Sequence, residues 1–338
     1  MNIIIKCLLC DKEAQVIEQN YPGYQEPDNF SICNCVYCNT QFSYPRVETR
    51  HIYEMIYKKP ETVPGYDRYY RYKNEVKTVK NPLQYLAEAE EAYWVIRDAL
   101  KQDIDEKETL KILECGCGMG YLTYSLYKEG FNVTGLDISQ NAVDEAVKNF
   151  AEIYVCADVF EYAKKHREVY DRIILTQVIE HVENPIEWLK TLLTMLKKGG
   201  KIILSTENKT VYPEGTIWQS DLPPVHLWWF SEKSFKYIAS KINASLHFTD
   251  FNKYVSGVQF IVPEKIPYNQ HRFDKNGEVL PLLSPSLSPS PLPLKKMSLL
   301  RTFVKKIPFS RYVYYKFWKH YVWLGKRRAV MGVIFTKR

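Results

Sequence analysis

The middle of the chain alternates short apolar runs with longer segments whose apolar residues recur at helical spacing. The short runs are LKILECG, FNVTGLD, IYVCAD, YDRIILTQ and KIILST, and the longer segments are GYLTYSLYKEG, NAVDEAVKNFA and NPIEWLKTLLTMLKKGG. Short apolar runs of this length predict buried strands, and amphipathic segments predict helices. Their regular alternation predicts an α/β core, a Rossmann-like doubly wound sheet of about seven strands.

Several residues predict where individual helices begin and end. Ser139 is a plausible N-cap, Pro185 is typical of a helix start, and Gly130 is expected to stop the helix before it. Upstream, LAEAEEAYWVIRDAL is predicted to be one helix leading into the core. The final AVMGVIFTKR has the pattern of a strand, which could close the core sheet.

Changes in composition divide the chain into five parts. A Cys-rich beginning precedes a connector rich in Tyr and charge, and a Ser/Pro/Leu stretch separates the core from a basic aromatic end predicted to be helical over 310–324. The predicted parts are 1–45 (a zinc-ribbon-like unit), 46–108 (connector and helix), 109–265 (core), 266–294 (linker) and 295–338 (basic extension).

Overall composition is that of a soluble globular protein. The 338 residues are 46% hydrophobic and 25% charged, and no run approaches the ~20 apolar residues that span a bilayer. The first residues, MNIIIKCLLCDKE, have no basic segment followed by a long apolar run. We therefore expect no signal peptide and a cytoplasmic location, with peripheral contact at the inner face of the membrane as an extension of it.

The net charge of +7 belongs to one segment. After Glu278 there are 13 of the 46 Lys and Arg residues and no acidic residue, so the rest of the chain is net acidic. Cations mixed with Phe, Tyr and Trp over 295–328 suit an anionic membrane surface. They also suit RNA, through charge and stacking, or a helical lid or oligomer contact with a solvated cationic face.

A glycine-rich turn follows the first core strand. In ILECGCGMG, the residues Gly116, Gly118 and Gly120 allow a tight turn against a ligand, and Asp137 at the end of the next strand can accept hydrogen bonds from ribose hydroxyls. A dinucleotide dehydrogenase is the rival, but its G-x-G-x-x-G pattern would need its third glycine at Tyr121. Glu114 also suits a cationic amino acid better than a pyrophosphate.

Five motifs then occur in order. LECGCGMG, GLDIS, CADVFEY, YDRIILTQVIEHVENP and LKKGGKIILSTEN together resemble the class I S-adenosylmethionine-dependent methyltransferases, over about residues 85–262. The resemblance implies a methionine end near Glu114, a ribose held by Asp137, an adenine amine near Asp158, and Gln177 under the sulfonium. The full implied cofactor set is Glu114, Gly116, Cys117, Gly118, Gly120, Asp137, Ile138, Asp158, Val159 and Gln177.

Structural roles compete with these assignments. Asp137 can serve as a helix cap, and Asp158 can be an ordinary loop residue. Cys115 and Cys117 are interpreted as small packing residues, since no paired base accompanies them.

Two histidines are candidate bases. Methyl transfer from a sulfonium is an in-line displacement, so the enzyme chiefly aligns the acceptor and helps it lose a proton. His181 follows the fourth strand, and His226 follows the fifth, where this fold carries its acceptor site. His181 can equally be a hydrogen-bonded structural residue. The acceptor contacts predicted around His226 are Tyr212, Asp221, Trp228 and Trp229, whose aromatic faces suit a sugar or form part of the core.

The segment around His181 has a further resemblance. VIEHVENP resembles the LEHV segment of ubiquinone-biosynthesis O-methyltransferases, in which two Glu and the His are linked with a divalent cation. Glu180 and His181 match that pattern, but Gln177 stands at the first Glu position. One negative charge is lost, which disfavours a metal-assisted reaction.

The N-terminal cysteines have the spacing of a metal site. Cys7-x2-Cys10 and Cys35-x2-Cys38 are two C-x2-C pairs, which predict a closed structural zinc site, with Cys33 as a spare. NCVYCNTQFSYP resembles the end of a zinc ribbon in a methyltransferase group that acts mainly on sugars and related metabolites, with Asn39 in place of Gly. Some ribosomal RNA enzymes also combine a zinc ribbon with a methyltransferase.

The sequence therefore predicts S-adenosylmethionine-dependent transfer of a methyl group to a small-molecule or glycan acceptor, with a sugar hydroxyl favoured and with histidine-assisted deprotonation. An RNA methyltransferase is the first alternative. A non-catalytic zinc- and nucleotide-binding protein is the second.

Overall fold

The computed structural model describes most of the chain outside the linker and basic extension. The described residues are 4–47, 49–58, 63, 66–212, 215–218, 222–254, 272–280 and 328–338. The helix predicted over 310–324 and the candidate contact Asp221 lie outside them. Within the described ranges, no helix is both long and apolar enough to span a membrane.

The N-terminal residues form an antiparallel sheet. Its strands β1 (Ile4–Lys6), β2 (Glu13–Pro22), β3 (Asn29–Cys35) and β4 (Thr40–Tyr44) are paired in chain order. A fifth strand, β10 (Trp228–Trp229), comes from far along the chain and pairs Trp228 with Phe42 and Trp229 with Gln41. We call this five-stranded sheet with its cysteine turns the ribbon. The ribbon is therefore completed by a segment of the core.

In the described part of the connector, four helices lie between the ribbon and the core, namely α1 (Arg50–Lys58), α2 (Asp67–Glu75), α3 (Pro82–Ala89) and α4 (Glu91–Leu100). The single helix predicted for LAEAEEAYWVIRDAL is thus wrong, because α3 and α4 are separated at Glu90. Glu90 has an extended backbone (φ −141°, ψ 144°), and its carboxylate accepts the hydroxyl of Tyr72 at 2.8 Å. Helical periodicity continues across the break, so the pattern alone does not reveal it.

The core is a seven-stranded sheet, as predicted. Its strands are β5 (Lys111–Cys115), β6 (Asn132–Asp137), β7 (Tyr154–Cys156), β8 (Tyr170–Thr176), β9 (Leu196–Glu207), β11 (Ala244–Phe248) and β12 (Val330–Lys337). Their order is β11-β12-β9-β8-β5-β6-β7. Strands β5 to β9 are parallel, and β12 runs antiparallel between β9 and β11. The last strand therefore lies inside the sheet, although it follows the linker in sequence.

Helices α5 (Tyr121–Lys128), α6 (Gln140–Asn149), α7 (Val159–Lys165), α8 (Pro185–Met195) and α9 (Glu232–Ile242) complete the core. The predicted caps are confirmed at Ser139, which accepts the N–H of Ala142, and at Pro185, which lies in the first turn of α8. Helix α8 ends at Met195, earlier than the predicted KKGG end. Leu196 is already extended and pairs with Tyr170.

Alternating residues of the parallel strands face two separate apolar clusters. Leu113 and Ile173 pack into the cluster that includes α8, α9 and the ribbon cysteines, whereas Ile112 and Ile174 pack into the one that includes α3, α4 and α5. This alternation is the strand period of two. It places the ribbon on the same face as α9, close to the carboxyl ends of β8 and β9.

Candidate active site

The turn between β5 and α5 is built from three glycines in the left-handed region. Gly116, Gly118 and Gly120 have φ of +74°, +49° and +78°. A Cβ on Gly116 would lie 2.6 Å from the Cγ2 of Val178, and one on Gly120 would lie 2.6 Å from the Cβ of Ala146. Any other residue at these two positions would be both strained and crowded. Because glycine has no side chain, the backbone of this turn is not covered by side chains of its own glycines at the carboxyl edge of the sheet.

Asp137 ties this turn to the next strand. Its Oδ2 accepts the N–H of Gly118 at 2.8 Å, and its Oδ1 accepts the N–H of Ser139 at 2.9 Å. Burial raises the pKa of the Asp137 carboxyl, and these two N–H groups lower it. Each carboxylate oxygen has a further lone pair. Ser139, and not Asp137, caps α6, and the two hydrogen bonds of Asp137 are compatible with the predicted ribose contact.

Glu114 is buried beneath the same turn, where only 3% of the residue is exposed. Burial raises the pKa of its carboxyl to about 8, the hydrogen bond from the Thr123 hydroxyl lowers it, and the nearby Asp137 raises it again. The carboxyl is therefore mostly protonated at neutral pH. A cation placed beside it would favour the ionised form.

The other predicted cofactor residues surround the turn on neighbouring strands. Asp158 caps α7, where its Oδ1 accepts the N–H groups of Phe160 (2.8 Å) and Glu161 (3.2 Å). Ile138 is 65% exposed, whereas Val159 and Cys117 are buried. Gln177 adopts a positive φ of 54° directly after β8, a strained conformation for a non-glycine residue. All these residues lie at the carboxyl ends of β5 to β8.

His226 is buried beside a carboxylate. Its Nε2 lies 3.3 Å from Glu207 at the end of β9, and its ring stacks on Trp229 with centroids 4.8 Å apart. Burial lowers the pKa of the imidazole to about 3, and a backbone contact with Trp228 raises it. Sequence reasoning missed Glu207. The sequence marked Glu207 only as an acidic residue at the end of a strand, at the edge of the sheet where ligands bind.

His181 is hydrogen-bonded to the segment that contains His226. Its Nδ1 donates to the carbonyl of Val225 at 2.6 Å, and its ring meets His226 edge-on at 5.4 Å between centroids. Glu180 is buried, accepts the Thr206 hydroxyl at 2.9 Å, and accepts the N–H of Leu227 on its carbonyl. His181 thus has a structural hydrogen bond and also lies beside the candidate base.

The two adjacent tryptophans face opposite sides of β10. The indole of Trp228 donates to the carbonyl of Val182 at 2.7 Å and lies under the guanidinium of Arg46, within the cluster that contains the ribbon cysteines. Trp229 instead faces His226 and Trp218, and Tyr212 packs on Trp218 with centroids 4.9 Å apart. The strand therefore separates a packing tryptophan from one at the site.

Four ribbon cysteines converge. The Sγ atoms of Cys7, Cys10, Cys35 and Cys38 all lie within 4.8 Å of one another, and all four residues are buried. Zinc–sulfur bonds of ~2.3 Å in a tetrahedron separate the sulfurs by ~3.8 Å, so the four thiols fit a zinc ion. Cys33 is not among them. It pairs with Val16 and Phe42 in the sheet.

The second cysteine turn docks on the start of α9. The hydroxyl of Thr40 donates to Ser234 at 2.8 Å, and the hydroxyl of Ser234 lies 3.2 Å from the carbonyl oxygens of Cys38 and Asn39. Asn39 has a positive φ (54°) and accepts a hydrogen bond from the Nζ of Lys209 at 2.7 Å. These contacts hold the ribbon against the segment that carries His226.

Residues 72–247 match a family model described as a methyltransferase domain. The chain is 37% identical over 115 residues to a ubiquinone biosynthesis O-methyltransferase of Coxiella burnetii, covering 31% of this chain and 48% of that protein. It is 34% identical over 119 residues to one from Rickettsia bellii, covering 34% of this chain and 49% of that one. The chain thus spans about half the length of the curated relatives it matches.

Solved structures also overlap with this chain. A SAM dependent methyltransferase from Archaeoglobus fulgidus is 16% identical, with a TM-score of 0.42, over 72% of this chain and 93% of that one. A magnesium protoporphyrin IX methyltransferase from Synechocystis PCC 6803 is 20% identical, with a TM-score of 0.39, over 60% and 90% of the two chains.

Proposed function

Because the chain belongs to the methyltransferase-domain family, we propose that it transfers a methyl group from S-adenosylmethionine to a hydroxyl of a small-molecule or glycan acceptor. The observation that carries the proposal is the pair of buried carboxylates, Glu114 and Asp137, on either side of a turn of three left-handed glycines. Ligands of open α/β sheets bind at this edge. The N-terminal end of α5 also follows the turn.

Each residue at that edge has a proposed task. Asp137 accepts hydrogen bonds from the ribose hydroxyls, and Glu114 binds the amino group. Exposed Ile138 and buried Val159 flank the adenine, with Asp158 near its amine. Gln177 lies under the sulfonium, whose methyl group is the electrophile that the bound cofactor supplies.

His226 is the proposed base, with His181 beside it. Its buried ring is neutral at pH 7 and could take the acceptor hydroxyl's proton while that oxygen forms its bond to the methyl carbon, as the carbon–sulfur bond breaks with its electron pair going to sulfur and a thioether leaves. Glu207, 3.3 Å away, stabilises the imidazolium as it forms. A neutral ring with a carboxylate 3.3 Å from its Nε2 supports proton abstraction without a metal, in keeping with Gln177 at the first Glu position of the metal-linked pattern.

A sugar is the favoured acceptor. Trp229 stacks on His226, Trp218 stacks on Trp229, and Tyr212 packs edge-on against Trp218. An aromatic cluster beside the candidate base suits the C–H face of a sugar ring. The matched relatives carry the name O-methyltransferase, which favours oxygen as the atom that receives the methyl group.

We further propose that Cys7, Cys10, Cys35 and Cys38 hold a structural zinc ion. A closed set of four thiolates leaves no open coordination position, so the metal would stabilise the ribbon and take no part in methyl transfer.

Binding and labelling together test the function. Calorimetry should detect S-adenosylmethionine binding, weakened at least about tenfold in Asp137→Ala and unchanged in Asp144→Ala, an exposed aspartate on α6. With radiolabelled cofactor and a fractionated cell extract, label should enter the low-molecular-mass fraction. No binding would favour the non-catalytic alternative, and label in RNA with steeply salt-dependent RNA affinity would favour the RNA alternative.

The cytoplasmic location stays a prediction. The contact of 295–328 with a membrane surface also stays a prediction, since residues 295–327 lie outside the described part of the chain. The same holds for an RNA-binding role of that segment.

A further inference from the structure

Three buried polar groups beside the candidate base form no hydrogen bond with any described residue. They are the hydroxyl of Tyr24 and the indole N–H groups of Trp218 and Trp229. These residues are 0%, 3% and 2% exposed. A buried donor without a partner costs stability, so most such groups in folded proteins are satisfied. Three together indicate that a ligand supplies the partner.

Neighbouring residues of the same types are satisfied within the protein. The hydroxyl of Tyr21 donates to the carbonyl of Trp218, and the indole of Trp228 donates to Val182. The difference therefore lies in position and not in residue type. Tyr21 and Trp228 use their polar hydrogens in hydrogen bonds within the protein. The hydroxyl of Tyr24 and the indole N–H of Trp229 have no such partner.

The three donors belong to one buried cluster next to His226. Tyr24, Trp218 and Trp229 pack in the same apolar cluster, which also contains Val225. Trp229 stacks on the His226 ring, and Trp218 stacks on Trp229 with centroids 6.2 Å apart. The N–H of Tyr24 donates to the carbonyl of Pro223, which fixes this ribbon residue to the same segment.

The Tyr24 hydroxyl has two other tyrosine hydroxyls near it. Burial raises its pKa, and the hydroxyls of Tyr53 and Tyr69 raise it further.

We propose that the Tyr24 hydroxyl and the indole N–H groups of Trp218 and Trp229 determine acceptor specificity by donating hydrogen bonds to oxygen atoms of a polyhydroxylated ring. The inference rests on the proposed function and deepens it. The aromatic cluster suits the apolar face of such a ring, and the three donors suit its edge oxygens. A hydrocarbon acceptor would leave all three unpaired, and a site built this way discriminates strongly against it.

This assignment gives the ribbon a second role. Tyr24 follows β2 in the ribbon, so the metal-binding unit contributes a specificity-determining side chain as well as a sheet that β10 completes. The acceptor site is then formed jointly by the ribbon and the core.

Stability measurements give the first test. Tyr24→Phe removes one oxygen that has no partner in the protein, so its free energy of unfolding in urea should be equal to or higher than that of the parent chain. Tyr21→Phe removes an oxygen that has a partner and should lower it. If Tyr24→Phe is destabilised as much as Tyr21→Phe, the hydroxyl has a structural partner and the proposal is overturned.

Methyl transfer gives the second test, with labelled S-adenosylmethionine and the low-molecular-mass fraction of a cell extract as the probe. Tyr24→Phe should need at least about tenfold more of that fraction to reach half its maximal rate, with cofactor affinity unchanged by calorimetry. Trp218→Phe should behave in the same way. Equal dependence in all three chains overturns the specificity proposal alone, whereas failure of the parent chain to label any small molecule overturns the proposed function itself.

Discussion

The Nε2 atom of His226 lies 3.3 Å from a carboxylate oxygen of Glu207, although the imidazole is buried with only 4% of the residue exposed. Burial by itself makes the ring hard to protonate, and its pKa falls to about 3. An ionised carboxylate at this distance favours the protonated form of a ring. We therefore propose that Glu207 assists transient protonation of His226.

Glu207→Gln should lower kcat for methyl transfer by roughly 10- to 100-fold, because the imidazolium loses its compensating charge. Cofactor affinity should be unchanged, and Glu207→Asp should recover part of the rate. Glu152→Gln, at an exposed position before β7, is the matched control. Steady-state kinetics with the labelled fraction would check this, and an unchanged kcat in Glu207→Gln would remove Glu207 from the mechanism.

The pH dependence of folding should reveal the buried ring of His226. Its folded pKa of about 3 is below the ordinary value of 6.5, so the unfolded chain binds the proton more readily. The stabilising effect of a neutral ring is present above pH 6.5 and is lost as the pH falls towards 3. In urea unfolding, His226→Gln should lose less stability than the parent chain between pH 6.5 and 5, by about 1–2 kcal/mol. Parallel curves would contradict the depressed pKa.

Cofactor binding should depend on pH through Glu114. Its carboxyl has a pKa of about 8 in the free protein and must ionise to pair with the cofactor's amino group. Affinity should therefore rise with pH by up to about tenfold per unit between pH 6 and 7, with release of a proton. Calorimetry in two buffers of different ionisation enthalpy would measure that proton. Glu114→Gln should bind more weakly and without this pH dependence.

Gly116→Ala separates crowding from backbone strain when compared with Gly199→Ala. Both glycines have nearly the same φ (+74° and +75°), but a Cβ at Gly199 meets nothing within 4 Å, whereas one at Gly116 meets Val178 at 2.6 Å. Gly199→Ala should cost only the strain of about 1–2 kcal/mol and leave cofactor binding intact. Gly116→Ala should be less stable still and should bind the cofactor at least about tenfold more weakly. Equal behaviour of the two variants would mean that the turn tolerates a side chain.

Metal analysis should find one zinc ion per chain, lost in Cys38→Ser and retained in Cys33→Ser. Cys38 is one of the four convergent thiols, and Cys33 is a buried strand residue outside that set. Because β4 pairs with β10, chelation should also increase hydrogen exchange at Trp228 and Trp229. Zinc loss in Cys33→Ser with retention in Cys38→Ser would refute this ligand set.

Features carried by local pattern were predictable from the sequence. The strand runs, the glycine turn, the Ser139 cap and the spacing within each C-x2-C pair each depend on residues that are close together in the chain. Chain-local sterics and hydrogen bonding determine these features, so they agree with the structure, whereas the order of the seven strands and the convergence of the two cysteine pairs depend on distant pairing.

Tertiary structure decided the features that depend on distant pairing. The break at Glu90 arises where Tyr72 reaches its carboxylate, and no change in periodicity marks it. Trp228 and Trp229 are the same residue type at adjacent positions, so the sequence does not distinguish their roles. Pairing of β10 with β4 turns Trp228 towards the ribbon core and Trp229 towards His226. The contact between Glu207 and His226 likewise exists only because a strand end and a later loop meet at one edge of the sheet. Local sequence sets which elements form, and long-range packing sets which side chains meet.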